Sequence, residues 1–470
     1  MITNSVCLAI DGAPRLLAMQ RAAHRREGSP DAPTRRDRLK RLERLLKEYS
    51  DRFAAAISED FGNRSQTETA LFETTSVIGA IRHARRHVAR WIRPERRAVG
   101  RNFWPGKAYL RREPLGVIGI VSPWNYPLLL ALSPLVDAIA AGNRAIIKPS
   151  ESTPRFSALL EIAIAAHFAP EEVAVVTGGP DVAAAFTALD WDHLLFTGST
   201  AIGRKVAQAA AELLVPLTLE LGGKSPAVVC PSASLAKAAS AIAWGKFVNA
   251  GQTCIAPDYV LAPASQVRTL ADAIIADVRR FYPDLGADYS SLISTHAFDR
   301  LSKQVNEAVE AGAVAITHGM PADRATRRFP PTIIVAPSTD AALMREEIFG
   351  PVLPIIAYDD LDEALAFIAD RPHPLALYCF AEHRAEVDHV LARSQSGGVT
   401  VNGTLVHIGQ ESLPFGGVGA SGMGSYHGKA GFDRLTHPRG IFRVRRINPI
   451  TLLFPPYGAW TRRIIGLLTR

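Results

Sequence analysis

The chain has 470 residues, 47% hydrophobic and 21% charged, a globular balance with room for two or three domains. Its 53 Lys and Arg against 45 Asp and Glu leave a formal charge of +8, spread over residues 35–47, 93–112 and 439–470 rather than gathered into one block. With no interleaved aromatics and no zinc-finger spacing, this reads as solvated faces compatible with an anionic dinucleotide, not as a nucleic-acid surface.

Four widely spaced cysteines, Cys7, Cys230, Cys254 and Cys379, form no Cys-x-x-Cys pair. That argues against a disulfide framework and a structural zinc site, and for a reducing, cytoplasmic setting; no metal is expected. The first twelve residues lack a cationic stretch followed by an apolar run, so no secretory leader is expected. No run of about 18 apolar residues predicts a membrane span.

In chain order, residues 34–60 place Leu39, Leu42, Leu45, Leu46, Phe53 and Ile57 at three- and four-residue steps, which predicts one amphipathic helix closed at Phe61-Gly62. Residues 94–114, rich in Arg and Gly, predict a projecting hairpin. From residue 117, short apolar runs at 117–121, 145–148, 173–177, 194–197 and 217–221 read as strands, with alanine-rich helices at 131–140, 154–166 and 203–213. Strand alternating with helix predicts a parallel sheet covered on both faces. A second series follows at 227–230, 259–262, 332–335, 352–358, 376–380 and 398–402, with Gly222-Gly223 as the boundary. After Arg443 the chain carries Pro455-Pro456 and an apolar-basic end at 460–468, expected to pack on the protein itself or on a neighbouring subunit, with peripheral contact to a membrane surface as the alternative.

Six segments combine residue types that chemistry needs. A lone cysteine is usually a small buried hydrophobe, but Gly251-Gln252-Thr253-Cys254 follows a helical stretch and puts the thiol on a turn. A thiolate there suits attack on a carbonyl carbon. Glu220, before Leu221-Gly222-Gly223, ends a strand expected to be half-buried; a strand-end glutamate is commonly just solvated, yet desolvation turns one into a general base. Pro123-Trp124-Asn125-Tyr126-Pro127 follows a strand, where Asn125 either satisfies a turn or offers amide donors to a ligand. Phe196-Thr197-Gly198-Ser199 through Gly203 runs strand, turn, helix start, a weak phosphate-binding signal without the Gly-x-Gly-x-x-Gly fingerprint. Lys148-Pro149-Ser150-Glu151 closes another strand with groups suited to ribose hydroxyls. Glu347-Ile348-Phe349 sets a carboxylate beside a ring that, taken alone, belongs to the core.

Taken in order, Asn125, Lys148, Gly198, Glu220, Cys254, Glu347 and Pro414-Phe415-Gly416-Gly417 resemble the aldehyde dehydrogenase superfamily over most of the chain. Residues 421–429 and the Pro455-Pro456-Tyr457 tail resemble its class 3 and coniferyl aldehyde dehydrogenase branch. The resemblance implies an α/β fold of the aldehyde dehydrogenase type. Residues 1–93 and 115–221 would form a Rossmann-type NAD-binding domain and 222–415 an α/β catalytic domain, with 94–114 and 416–470 as oligomerisation hairpin and C-terminal segment. It implies oxidation of a small aldehyde, aromatic or medium-chain, by a homodimer using NAD, with NADP accepted. Cys254 would be the nucleophile, Asn125 with the Cys254 amide would hold the oxyanion, and Glu220 would activate water against the thioester. Trp124, Lys148, Glu151, Gly198, Ser199, Gly203, Leu221, Glu347 and Phe349 would line the cofactor site.

Two departures from the family pattern, Arg434-Leu435-Thr436-His437 and Glu411 in place of an aspartate, bear on substrate fit or subunit contacts. A coenzyme-A-acylating relative is the enzymatic alternative, which Glu220 argues against. A non-catalytic, crystallin-like protein is the other, and it would usually lack one of the three reacting residues.

Overall fold

The computed structural model describes the backbone of residues 2–100, 103–446, 451 and 454–469. Side chains are described for 12–100, 103–446, 451, 454–467 and 469. The Cys7 side chain and parts of the basic stretches at 101–102 and 447–450 lie outside the described residues.

The first amphipathic segment is a helix, Ala32–Phe61. Asp31 caps it by accepting from the Thr34 N–H at 2.9 Å, and Gly62 ends it at φ 79. Its apolar stripe, Leu39 to Ile57, is wholly buried against helices Thr75–Trp91, Pro127–Ala141 and Pro154–His167. Helices Ile2–Glu27 and Thr75–Trp91 escape the sequence reading. In the latter, Val77, Ile81, Ala84 and Val88 keep helical spacing, but five Arg and His residues between them mask it.

Strands β1 (Glu95–Arg97) and β2 (Lys107–Pro114) form the expected antiparallel hairpin. Strands β3 (Val117–Val121), β4 (Arg144–Lys148), β5 (Val173–Val175), β6 (His193–Thr197) and β7 (Leu217–Glu220) then build a parallel sheet in the order β7-β6-β3-β4-β5. Ile118 and Ile120 of β3 face one core, with Val117 and Val121 on the other. Burial on both faces makes each strand a near-continuous apolar run.

The chain crosses at residues 221–225 into a second sheet. Its strands are β8 (Pro226–Val229), β9 (Tyr259–Pro263), β10 (Val314–Thr317), β11 (Thr332–Val335), β12 (Val352–Tyr358), β13 (Ala376–Phe380) and β14 (Gly398–Val401). They are ordered β10-β11-β12-β9-β8-β13-β14, parallel except for β10. Finally β15 (Gly422–Met423) returns to the first sheet antiparallel to β7, and β16 (Thr436–Arg443) pairs along all of β2.

Strands β10, β15 and β16 are absent from the sequence reading. β10 is a partly exposed edge, β15 has two residues, and β16 contains Pro438 and Gly440 between exposed arginines. Their partners, not their own patterns, hold them in place. β7 also departs from expectation. Thr218, Leu219 and Glu220 are all buried rather than alternating, because both faces of the strand are covered, the Leu219 face by the apolar core. Thr218 Oγ1 is bonded by His193 Nε2 at 2.9 Å and Arg434 Nε at 3.1 Å.

Candidate active site

The residues singled out in the first half of the chain lie at the carboxyl ends of parallel strands, where open α/β sheets present ligand-binding groups. Lys148 ends β4 and is buried; its Nζ donates to the Pro149 carbonyl at 2.8 Å and faces the exposed Glu151 carboxylate at 3.6 Å. Gly198 follows β6, and the exposed Ser199 caps helix Thr200–Glu212 by accepting from the Ile202 N–H at 3.4 Å. Gly203 packs directly on Leu221, where a Cβ would lie 2.5 Å from the leucine Cδ2. Small residues, a helix start with open amide groups and a lysine at adjacent strand ends fit a dinucleotide.

Trp124 and Phe349 meet edge to face with ring centroids 5.4 Å apart, and Phe61 backs the tryptophan at 5.9 Å. Phe349 sits at φ 47, a left-handed conformation that a bulky residue holds only when its surroundings enforce it. Glu347, two residues earlier, lies against Gly222, where a Cβ would fall 2.1 Å from its carboxylate. Burial and the nearby Asp258 push this carboxyl up to about 8, against the pull of the Gly223 N–H and of Lys224 and Lys246. Its loop is fastened by Lys224, which ion-pairs with Asp258 and donates to the Leu343 and Glu346 carbonyls at 2.7 and 2.9 Å.

The nucleophile turn is built under strain. Asn249, Ala250 and Gly251 take φ of 50, 50 and 73 in succession. Gln252, fully buried, locks the turn by donating to the Asn249 and Ser291 carbonyls at 3.0 and 3.1 Å and accepting from the Ile293 N–H at 2.9 Å. Cys254 follows as a free, partly exposed thiol in the wall of a cavity of about 420 Å³. Burial, then the charges of Glu347 and Glu220, push the thiol up to about 12, while the N–H groups of Cys254 and Ile255 pull it the other way.

Asn125, 3% exposed, reaches the same turn: its Nδ2 donates to the Gln252 carbonyl at 3.1 Å. Glu220 is 2% exposed, and both of its carboxyl oxygens are buried without a partner among the described residues. Burial raises its pKa well above the ordinary carboxylate range. A native structure seldom leaves a buried carboxyl unpaired without a functional reason. Cys254, Asn125, Glu220 and Glu347 thus gather at one place, with Trp124 and Phe349 beside them; Lys148, Glu151, Gly198 and Ser199 stand along the adjoining strand ends.

Several residues around this centre carry no signal in the sequence reading. Arg64 and Glu73 form an ion pair at 3.1 Å with both side chains fully buried. Arg64 Nη1 donates to the Asn125 carbonyl at 2.9 Å, and Glu73 Oε2 accepts from the Leu128 and Leu129 N–H groups at 2.8 and 3.1 Å. Glu68, pushed up to about 7 by burial, accepts from the Asn249 N–H at 3.0 Å. Tyr126 shares a hydrogen bond of 2.8 Å with Thr253 Oγ1. Only Tyr126 lies inside a recognisable motif; Glu68 and Glu73 are isolated charged residues in short helices and Arg64 sits in the loop before them.

The aldehyde dehydrogenase family model matches residues 14–441. A probable coniferyl aldehyde dehydrogenase of Pseudomonas aeruginosa is 45% identical over 452 residues, 96% of this chain and 94% of the relative. The coniferyl aldehyde dehydrogenase of Pseudomonas sp. strain HR199 is 40% identical, with 98% of each chain covered. Among solved structures, the substrate-bound state of Staphylococcus aureus AldH superposes with a TM-score of 0.92 at 37% identity, covering 97% of this chain and 99% of that one. The chain therefore belongs to the aldehyde dehydrogenase family, as an NAD(P)-dependent oxidoreductase that acts on aldehydes.

Proposed function

We propose that this enzyme converts an aromatic or medium-chain aldehyde of the coniferyl aldehyde type into its carboxylic acid through a thioester on Cys254. The observation that carries the reading is a free thiol in a cavity wall, with a side-chain amide tied to its turn and an unpartnered buried carboxyl near enough for its charge to act on the sulfur. In this mechanism the Cys254 sulfur, once deprotonated, forms a bond to the aldehyde carbon. The developing oxyanion is held by the Asn125 amide and the Cys254 N–H; one such donor is worth roughly 3 kcal/mol of barrier. NAD, when bound, supplies the acceptor for the hydride that leaves the tetrahedral carbon. Glu220 then takes a proton from water, which attacks the thioester, releases the acid and restores the thiol. The net change is aldehyde, water and oxidised cofactor to acid, reduced cofactor and a proton.

On the cofactor side, Lys148 and Glu151 are assigned to the adenosine ribose and Ser199, Gly198 and Gly203 to the pyrophosphate. Glu347 is assigned to the nicotinamide ribose, with Phe349, Trp124 and Leu221 around the ring. A carboxylate at Glu151 disfavours the 2′-phosphate of NADP by charge, so NAD is the preferred cofactor and NADP a tolerated one.

The domain division proposed is 1–93 with 115–221 for cofactor binding, 222–415 for catalysis, and 94–114 with 416–470 for oligomerisation, β15 being the part that threads back into the first sheet. A homodimer is supported by the outer edge of β16 and by exposed Trp104 on the hairpin, Phe442 and Val444 at the end of β16, and Trp460 and Leu467 on the terminal helix Ala459–Leu468. Among the described residues no helix is long and apolar enough to cross a membrane. Unpaired Cys230, Cys254 and Cys379 suit a reducing cytoplasm.

The test is NADH formation from benzaldehyde or a cinnamaldehyde without added coenzyme A, with the product identified. Formation of the free acid is expected. A strict requirement for coenzyme A would move the enzyme to the acylating reading.

A further inference from the structure

The cavity that holds Cys254 is mostly apolar, with Phe72, Leu129, Trp244 and Ile408 among its walls, but His427 and Glu411 also line it. The two segments meet at the backbone. Gly428, next to His427, lies at φ +50, and a Cβ there would sit 2.1 Å from the Glu411 carbonyl oxygen.

His427 is 4% exposed and is held at φ 78. A non-glycine residue in that region is strained, and such strain collects at functional sites. The packing that enforces it is visible. The His427 N–H donates to Asp137 Oδ2 at 3.0 Å, and the ring stacks on Phe415 at 5.4 Å and meets Tyr426 edge-on at 4.5 Å. Asp137 in turn leaves no room for a side chain at Gly431, where a Cβ would lie 1.9 Å from its carboxylate. None of these contacts uses a ring nitrogen, and Nδ1 is buried without a partner. The Glu411 carboxyl likewise has no hydrogen-bond or ion-pair partner among the described residues. Burial pushes His427 down to about 4 and Glu411 up to about 7, so near neutrality the ring is uncharged and much of the carboxyl is protonated.

We propose that His427 and Glu411 form a polar subsite that hydrogen-bonds a neutral hydroxyl carried on the body of the aldehyde, away from its carbonyl, and thereby select the substrate. The proposal rests on the reading of this cavity as the aldehyde channel. A hydroxyl both donates and accepts, and the pair offers both complements: a carboxyl oxygen to accept its proton and an imidazole N–H to donate. A wholly apolar tail leaves the buried imidazole and the partly buried carboxyl unmet, the situation in which a polar site rejects an analogue most strongly. A carboxylate tail meets the partial charge of Glu411 in a low-dielectric wall and is disfavoured for that reason.

The experiment compares kcat/KM for 4-hydroxybenzaldehyde and benzaldehyde in the wild type and in Glu411→Leu, Glu411→Gln and His427→Asn. The electronic effect of the hydroxyl on the carbonyl is the same in every variant and cancels from the comparison. The hydroxyl-to-plain ratio should fall about tenfold or more in Glu411→Leu, since one such bond is worth about 1.4 kcal/mol. It should stay within about threefold of wild type in Glu411→Gln and His427→Asn, which keep hydrogen-bonding groups. A ratio unchanged in Glu411→Leu overturns the subsite while leaving aldehyde oxidation intact. If Glu411→Leu does not fold, a tighter Kd of wild type for 4-hydroxybenzyl alcohol than for benzyl alcohol supports the subsite, and equal Kd values overturn it. No NADH from either aldehyde in wild type overturns both the subsite and the activity on which it rests.

Discussion

Asn125 Nδ2 donates to the Gln252 carbonyl at 3.1 Å, so the proposed oxyanion donor is tied to the nucleophile turn two residues before the sulfur. The Asn125 carbonyl is itself gripped by Arg64 at 2.9 Å and by Asn249 Nδ2 at 3.0 Å. Amide and thiol are thus positioned by one buried polar network before substrate arrives, the kind of preorganisation that electrostatic catalysis requires.

Glu73→Gln tests that network. The substitution leaves the Arg64 guanidinium buried without its counter-charge, a change that typically costs about 3–5 kcal/mol. The glutamine amide can still accept from the start of helix Pro127–Ala141, so the protein should fold with a lowered denaturation midpoint. Because Arg64 also holds Asn125, kcat should fall more than KM rises. An unchanged midpoint and unchanged kcat would remove the network from the account.

Gly251→Ala tests the strained turn. At φ +73 an alanine is disfavoured, and its Cβ would lie 2.3 Å from the Gly350 carbonyl oxygen. The neighbour is backbone on the loop that carries Phe349, so it has little freedom to give. A loss of about 1–3 kcal/mol of stability is expected, with activity reduced about a hundredfold or more as the thiol moves by a fraction of an ångström. Wild-type turnover in this variant would show that the turn tolerates the displacement.

The protonation of Glu220 predicts a pH dependence. Burial raises its pKa well above the ordinary carboxylate range, so its basic form is still growing at pH values where an ordinary carboxylate is already fully ionised. Thioester hydrolysis should therefore rise with pH across the neutral to alkaline range, where an ordinary carboxylate has nothing left to ionise. The Cys254 thiol, pushed up to about 12, makes the acylation step rise as well. Single-turnover kinetics that isolate deacylation separate the two. A deacylation rate flat across that range would take the base role away from Glu220.

Glu151→Ala addresses cofactor choice. The carboxylate is exposed at the end of β4 and faces the buried Lys148 ammonium at 3.6 Å. Removing it takes away repulsion toward a 2′-phosphate and frees the lysine, so the NADP-to-NAD ratio of kcat/KM should rise about tenfold. An unchanged ratio would place discrimination elsewhere.

The sheet strands were legible because each is short, apolar and buried on both faces, as Val117–Val121 and Ala376–Phe380 illustrate. The gathering of Cys254, Asn125, Glu220 and Glu347 was legible because each sits in a motif of glycines, prolines and polar residues that a strand end or turn requires. Arg64, Glu68 and Glu73 were not. They lie far from Asn125 and Cys254 in the chain, and no local pattern distinguishes a helical glutamate that will be buried from one that will be solvated. His427 was equally mute, since neither its positive φ nor its unpartnered ring follows from Tyr426-His427-Gly428 read alone. β16 was hidden because its stability comes from register with β2, more than 300 residues earlier.

The most direct measurement reacts the Glu220→Gln variant with NAD and a benzaldehyde, follows NADH, and weighs the peptide containing Cys254. The account predicts one equivalent of NADH released in a burst, then a stall, with the acyl mass retained on Cys254. Sustained turnover with an unmodified cysteine, or turnover surviving in Cys254→Ala, would contradict it.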